Sequence, residues 1–530
     1  MTPAAERSPA LGGVAAGRQP PRPFEPLAGA TRLAATFALA LAAFMNILDL
    51  TIANVSVPTI AGAMGVSATQ GTWIVTSYAV SEAIMLPLTG WFAARLGQRR
   101  MFMLATTAFT LASLLCALSL NFPMLLAARV AQGAVGAAMI PLAQAMLLAI
   151  YPPAQRGLAM GIFAMTTVAA PIVGPLAGGW ITDHLSWHWI FLVNLPVGAL
   201  CLLLVWSLLG RFESTVRRAP VDLTGMALLA LGVGSLQILL DKGNELDWFG
   251  SPLIVALATV SAVALTVFVV WTLTARHPVV ELRLFARRNY AVGVGALALA
   301  SVAFFGTNVV VPLWLQTHMG YTAEWAGRTM AFGGLLAIVL GPVIGANIHR
   351  LDARAVATFG LAMFALFAWL SSRFPPDVDF WTLATTRLIM GVGLSCLFLP
   401  LTTIYLSGLA AEQTAGAAGL ANFMRNIGSS FGTSIMTSLW AHRTTQYGAQ
   451  LAESVNAHNP AAVSYLDRLA QIGLAPHAAL VYVQNAVIGT QASLLATNAV
   501  LLASALLMLG LIAIVWLARP PFSAGAAGAH

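Results

Sequence analysis

Charge is the scarcest property of this sequence. Of 530 residues, only 8% are Asp, Glu, Lys or Arg, against about 25% in a soluble globular domain. That excludes a water-soluble fold, because too little polar side chain exists to cover its surface. The mean hydropathy of +0.83 has the same origin. Lipid is the solvent this composition calls for. Cysteine is scarce too: Cys116, Cys201 and Cys396 all lie in apolar runs and none forms a CxxC, which argues against a disulfide framework or a thiolate metal site. There is no HExxH, no paired histidine cluster and no Walker A loop, so metal hydrolysis and ATP drive are not expected. We expect no catalytic residue, no metal, no cofactor and no enzyme activity. The net charge of +8 is spread in short basic clusters between apolar runs. Nucleic-acid binding needs a basic face on a folded domain, so nucleic acid is not an expected partner. A cleavable leader is not expected either: the first apolar run begins near Leu33, after a Pro-, Ala- and Arg-rich stretch, and is long enough to span a bilayer.

What the chain does have is long apolar runs. A membrane-crossing helix needs about 20 such residues. Fourteen runs qualify, near 33–57, 72–94, 100–120, 124–149, 157–182, 189–209, 222–241, 252–274, 290–316, 323–347, 353–372, 379–405, 414–439 and 490–517. Helices are required, since an open sheet would leave backbone groups unpaired in lipid. The fold class is therefore all-α integral membrane. Basic residues check the count. With a cytoplasmic N-terminus, the inner segments hold 18 arginines, and the outer segments hold only Lys242, Arg373, Arg443 and Arg468. This is the positive-inside bias, and a missed span would reverse every later loop and spoil it. Residues 1–32 read as a disordered cytoplasmic tail and 523–530 as a second cytoplasmic tail. Residues 440–489 form the longest loop, on the outer side, with short helices expected in it.

A charge in the bilayer centre costs several kcal/mol, so acids inside spans are informative. Of 18 acidic residues, only Asp49 and Glu82 lie well inside runs. At about 1.5 Å per residue, Asp49 sits roughly 12 Å, Glu82 roughly 15 Å and Arg129 roughly 8 Å from the outer ends of their helices. All three fall in the outer half and are expected around one cavity. Burial disfavours a charged carboxylate, whereas a neighbouring arginine favours it. A carboxyl balanced between the two can load and release a proton as the cavity changes sides. The bland alternative for Asp49 is a permanent ion pair with Arg129 that only orders the helices. Glu82 reads as a proton site, as a recognition site for cations or as a packing carboxyl.

Asn46 and Asn54 flank Asp49 on its span. Further on, Asn422, Asn426, Ser429, Thr433 and Thr437 share one helical face beside Arg425. Such a stripe belongs at a cavity wall or at a helix contact. We assign Asn46, Asn54, Asn422, Arg425 and Asn426 to a substrate cavity. Arg387 is also inside a span. In the fifth span Ala170, Gly174 and Gly178 make a small-xxx-small face that lets helices approach closely, while Pro171 and Pro175 remove donors and favour a bend. This stretch reads as tight packing that permits rocking, or as a pivot between two halves.

These motifs, taken in order, carry a resemblance. Gly90-Trp91-Phe92-Ala93-Ala94-Arg95-Leu96-Gly97-Gln98-Arg99-Arg100 resembles the loop motif of the major facilitator superfamily. Arg129-Val130-Ala131-Gln132-Gly133 is similar to its fourth-helix motif, associated with proton transfer, and 170–179 to its antiporter motif. Leu48 to Pro58 resembles the first-helix motif of the fourteen-helix drug:proton antiporter branch. Gly71 to Ser77, Ser235 to Gly243, Glu245 to Phe249, Leu399 to Ile404 and Pro520-Pro521-Phe522 resemble the EmrB-type multidrug efflux pumps within it. One departure is Ala94, where the loop motif usually carries Asp. The resemblance implies a six-helix bundle over 33–209, two inserted helices and linkers over 210–289, and a second six-helix bundle over 290–522. It implies alternating access about a central site in the bacterial inner membrane, driven by protons. Asp49, Glu82 and Arg129 would couple the proton, and Gly90, Gly97, Arg99, Gly133, Pro171, Gly174, Pro175 and Gly178 would serve the conformational change. Expected partners are small hydrophobic or amphiphilic substrates, protons, the lipid membrane, a periplasmic adaptor and an outer-membrane channel. The alternative is a dedicated exporter of one compound such as a fatty acid, bile salt or siderophore.

Overall fold

The computed structural model describes residues 26–522 apart from 67, 153–154, 211–215, 217–221, 244, 277, 411–412 and 457. Most of the expected N-terminal tail and all of 523–530 lie outside the described residues. Every regular element among the described residues is helical. Leaving aside the four-residue turns Ala68–Gly71 and Trp189–Leu192, they are α1 (Gly29–Ala63), α2 (Trp73–Met85), α3 (Thr89–Leu96), α4 (Gln98–Ala117), α5 (Phe122–Gly136), α6 (Met139–Ile150), α7 (Arg156–His184), α8 (Asn194–Leu208), α9 (Leu223–Lys242), α10 (Pro252–Thr274), α11 (Arg288–His318), α12 (Ala323–Asn347), α13 (Ala353–Ser371), α14 (Phe380–Ser395), α15 (Phe398–Leu406), α16 (Thr414–Ala452), α17 (Pro460–Gln471), α18 (Pro476–Tyr482) and α19 (Gly489–Val515).

Polar residues punctuate the apolar runs. Asn121 and Asp379 accept hydrogen bonds from the first free backbone amides of α5 and α14, which no carbonyl within the helix can reach. Gly97 closes α3 and opens α4 at φ +90°, a conformation that costs any other residue strain.

Eleven helical stretches are long and apolar enough to cross a membrane, and each matches one of the fourteen expected spans. A twelfth, 156–182, qualifies as two pieces bent by 40° between Pro171 and Leu176. The remaining two expected spans, 72–94 and 414–439, are helical but differ from the others. The first is apolar but interrupted by a 3-10 turn at Leu86–Leu88 containing Pro87, which leaves no unbroken helix of spanning length. The second is one long helix made polar by Asn422, Arg425, Asn426 and a run of hydroxyl side chains, and it packs against the first across the middle of the molecule.

Two expected boundaries move. α1 continues to Ala63 rather than ending near 57, so Asp49 sits deeper from the helix end than expected. α16 continues to Ala452, well past 439. The 440–489 region is accordingly a helical cap: α17 and α18 pack around Leu469, Ala479, Val483 and Ile488 against Leu451 and Val455. We call the face bearing it the cap face and the opposite one the far face.

Within the first part of the chain, α1 packs on α7 and α8, and α5 on α2 and α4. In the second part, α11 packs on α16 and α19, α12 on α14, and α13 on α19. One buried core joins Leu39, Phe102, Met146 and Cys201; another joins Tyr290, Phe364, Leu401 and Met508. The three cysteines are buried and free, and Cys116 Sγ donates to Gln132 Oε1 at 3.5 Å. α9 and α10 pack on each other, and α9 also touches both α2 and α16.

Contacts between the two parts concentrate where glycines allow them. At the far face, a Cβ on Gly90 of α3 would lie 2.4 Å from Cα of Gly416 in α16. A Cβ on Gly157 of α7 would lie 2.3 Å from the carbonyl oxygen of Gly345 in α12, and one on Gly161 2.5 Å from that of Gly341. Such distances require backbones in direct contact.

Candidate functional site

Four helices of the first part converge on Asp49. The carboxylate is fully buried, as is Arg129. Arg129 Nη1 donates to Asp49 Oδ2 at 2.6 Å. Gln132 Nε2 and Asn194 Nδ2 donate to Oδ1 at 2.9 Å and 2.6 Å. Three donors from α5 and α8 therefore close on one acid of α1.

A second ring fixes those donors. Ser113 of α4 accepts from Gln132 at 3.2 Å and from Asn194 at 2.9 Å, and donates to the carbonyl of Phe191 at 3.0 Å. Arg129 Nε donates to the carbonyl of Ile74 at 3.0 Å. Its guanidinium carbon lies 4.3 Å from the centre of the Tyr78 ring, a cation–π geometry. Arg129 Nη1 also donates to Gln132 Oε1 at 2.7 Å. The arginine thus already holds an alternative acceptor beside the carboxylate.

The sequence-derived residues fall in four places. Asp49 and Arg129 meet directly. Asn46 is buried and donates to the Tyr78 hydroxyl at 2.9 Å, so it packs behind the network instead of lining an open cavity. Asn54 is exposed. Glu82 faces α16, where Asn426 Nδ2 approaches its Oε2 at 3.5 Å, and Arg425, Arg129 and Asp49 all lie within electrostatic reach of it. Asn422 reaches the same way, donating to Gln144 Oε1 of α6 at 3.0 Å. The polar face of α16 is therefore a contact between the two parts of the chain at Asn422 and Asn426.

The glycine motifs separate in the same manner. Gly133 lets α5 touch α2 at Tyr78 and Ser81. Gly174 and Gly178 press onto Thr51 and Ile52 of α1, with the buried Ala170 on the same face. This face packs α7 against α1, within the first part. The contact of α7 with the second part runs along α12, through Gly157 and Gly161 at the far face and at Leu176 beside Gly327 toward the other end. Pro171 lies in α7 at the start of its bend, and Pro175 lies within it. Arg99 Nη2 reaches the carbonyl of Trp206 at 3.4 Å.

Sequence reasoning named Gly90 but missed Ser113, Asn194, Gln144 and the other far-face glycines, Gly157, Gly161, Gly341, Gly345 and Gly416. Asn194 carried a signal, as a lone amide in an apolar span. Ser113 and those glycines carried none, because such residues are common where helices pack.

With that geometry in hand, similarity adds the family. The sequence matches the Major Facilitator Superfamily over residues 39–433. It is 44% identical over 505 residues to "Multidrug export protein EmrB" of Escherichia coli K12, covering 95% of this chain and 98% of that one. It is 39% identical over 505 residues to "Fatty acid resistance protein FarB" of Neisseria gonorrhoeae, covering 95% and 99%. Among solved structures, the human organic anion transporter MFSD10 shares the fold with a TM-score of 0.56 at 14% identity, over 92% of this chain and all of that one.

Proposed function

The chain belongs to the major facilitator superfamily and, within it, to the EmrB-type multidrug efflux transporters, and from that premise we propose that it exchanges protons for small amphiphilic toxic compounds by alternating access. It is a multi-pass membrane transporter. In this reading all fourteen helical segments cross the bacterial inner membrane, with both termini cytoplasmic, so the far face is cytoplasmic and the cap periplasmic. The basic-residue bias supports that orientation. The first bundle spans 33–209 and the second 290–522, with 210–289 inserted.

The observation that carries the reading is the closed network at Asp49. A carboxylate ringed by Arg129, Gln132 and Asn194 can accept a proton only if Arg129 lets go, and Gln132 Oε1 is already placed to take over the guanidinium. That exchange is local. The donors sit on α5 and α8, and the acid sits on α1, which is packed by Gly174 and Gly178 onto α7. The other end of α7 touches the second half through Gly157 and Gly161. A change at Asp49 thus reaches the far-face seam along one helix.

A periplasmic adaptor and an outer-membrane channel complete the proposal, making this chain the inner-membrane part of a tripartite pump. The cap formed by α17 and α18 is the surface offered to the adaptor. The dedicated-exporter reading keeps one specific support, the 39% identity to FarB. Uptake into inside-out vesicles tests both. Acid-inside vesicles are expected to accumulate several unrelated drugs and to lose them when the gradient is collapsed. Uptake of one compound alone favours the dedicated exporter, and uptake indifferent to the gradient overturns proton drive.

A further inference from the structure

The cap holds an apolar cavity that faces water. α16 is 39 residues long, about 58 Å at 1.5 Å per residue, whereas the hydrocarbon of a bilayer is about 30 Å thick. With the bilayer around its first part, the end that carries Leu451 stands in water, and α17 and α18 stand with it. Beside the small core at Leu469 and Ala479 lies a cavity of about 220 Å³. Leu451 and Val455 form one wall, Leu466 of α17 a second, and Val483, Val487 and Ile488 a third. Val487 and Tyr465, at its edge, are exposed, so the cavity opens to solvent. None of the described lining side chains is charged.

Two features hold the walls apart. Between α18 and α19 the helix widens to a π-turn over Val483–Ile488. In an α-helix, residues five apart point about 140° away from each other, whereas the i→i+5 bonds of a π-turn bring them onto one face. Val483 and Ile488 are accordingly both buried, while Gln484, Asn485 and Ala486 between them are exposed. Opposite, the chain from α16 to α17 is braced by its own hydrogen bonds. Asn459 Nδ2 donates to the carbonyl of Ser454 at 2.7 Å, and its Oδ1 accepts from the amide of Ala461 at 3.1 Å. Asn456 Nδ2 donates to the carbonyl of Glu453 at 2.8 Å. Asn459 is thus spent on the loop, and the Ser454 hydroxyl on the carbonyl of Leu451. Two polar side chains of the lining remain, Tyr465 and Gln491, and neither makes a side-chain hydrogen bond among the described residues.

We propose that this cavity is a binding site for a small neutral amphiphile, whose ring or short chain fills the space and whose single polar head meets Tyr465 and Gln491. Size, charge and polarity each narrow the occupant. An apolar cavity of about 150 Å³ stays dry and takes up benzene, so a cavity of about 220 Å³ holds one ring with a small substituent. A carboxylate or ammonium would give up its hydration and find no opposite charge in the lining. The Tyr465 hydroxyl and the Gln491 amide favour a ligand with one hydrogen-bonding group over a bare hydrocarbon. None of the lining residues belongs to the Asp49 network or to the far-face seam. The inference therefore adds a binding event on the cap face to the transport reading, and it does not depend on which compound is exported.

The test is equilibrium dialysis of the full chain in lipid nanodiscs, with empty nanodiscs as the reference for partition into lipid. The probes are 4-ethylbenzyl alcohol and 4-ethylbenzoate at neutral pH, which share a ring and differ in the charge of the head. Wild type is expected to bind the alcohol saturably and about tenfold or more tighter than the benzoate. Ala462→Trp puts an indole into the cavity and is expected to abolish that binding. Tyr465→Phe removes only a hydroxyl. It is expected to unfold at the temperature of wild type and to bind the alcohol about three- to tenfold more weakly. Absence of saturable alcohol binding, or equal binding of the two probes, overturns the proposal. So does wild-type affinity in folded Ala462→Trp or in Tyr465→Phe. Because no gradient is applied, those results count against this site alone, whereas failed gradient-driven uptake counts against export.

Discussion

At the scale of the residue, the molecule is governed by a few buried charges and what each is given to bond. Asp49 has three donors, and their removal is expected to differ in cost. Arg129→Met leaves a buried carboxylate without its cation and is expected to destabilise the fold by about 3–5 kcal/mol. Asn194→Ala removes one neutral donor and is expected to cost about 1–3 kcal/mol. Thermal unfolding of the purified variants gives the order, and equal losses would contradict it. The rarity of intramembrane charge is why Asp49 and Arg129 were legible in the sequence. Gln132, Ser113 and Asn194 complete the same network but carry no charge, and an amide or hydroxyl in a span also serves ordinary packing. Asn46 shows the converse: polar and one turn from Asp49, it bonds the Tyr78 hydroxyl and holds α1 to α2.

At the scale of the element, hydropathy revealed the helices that touch lipid and was weakest for those that do not. α10 is apolar throughout and leaves Val263, Val270 and Leu273 exposed. α16 is the reverse, with Asn422, Arg425 and Asn426 on a helix whose neighbours are other helices. Helix ends were less legible, since α1 and α16 continue beyond the apolar run into the cap face. Contacts between distant helices were not legible at all: nothing in the sequence links Gly157 to Gly345 or Gly90 to Gly416. These seams are testable. Gly90→Val would force its side chain into the backbone of Gly416. It is expected to open the far face and to stop export while the protein still inserts, which cysteine labelling from the cytoplasmic side would report.

The inserted helix α9 adds a second element-scale expectation. On one side Asp241 bonds Thr76 of α2, and Lys242 bonds Thr72 just before it. On the other, Gln237 bonds Ser430 at 2.8 Å, and the carbonyl of Leu240 accepts from Ser434 of α16. α9 packs more extensively on α2 than on α16, so it should travel with the first half and part from α16 when the halves rock. A disulfide made by Gln237→Cys with Ser430→Cys is expected to block export until reduced. Unchanged export in the oxidised form would mean that α9 travels with α16.

At the scale of the whole molecule, the two halves repeat one helical arginine position, at Arg129 and Arg387, with different surroundings. The first half closes its arginine with an acid of its own, and the second leaves Arg387 without an ion pair among the described residues. The family and the helical architecture were readable from the sequence because motifs in fixed order survive divergence. The asymmetry between the halves was not readable, because it lies in what is absent around Arg387 and shows only once helices are placed beside each other. The account as a whole depends on Asp49 exchanging its bond to Arg129 for a proton. The direct test is proton movement in liposomes that hold the purified chain and a trapped pH-sensitive dye, with an imposed gradient. Adding substrate to wild type is expected to discharge the gradient, and adding it to Asp49→Asn, folded and still binding substrate, is expected to leave the gradient intact. Substrate-evoked proton flux of wild-type size through Asp49→Asn would contradict the account.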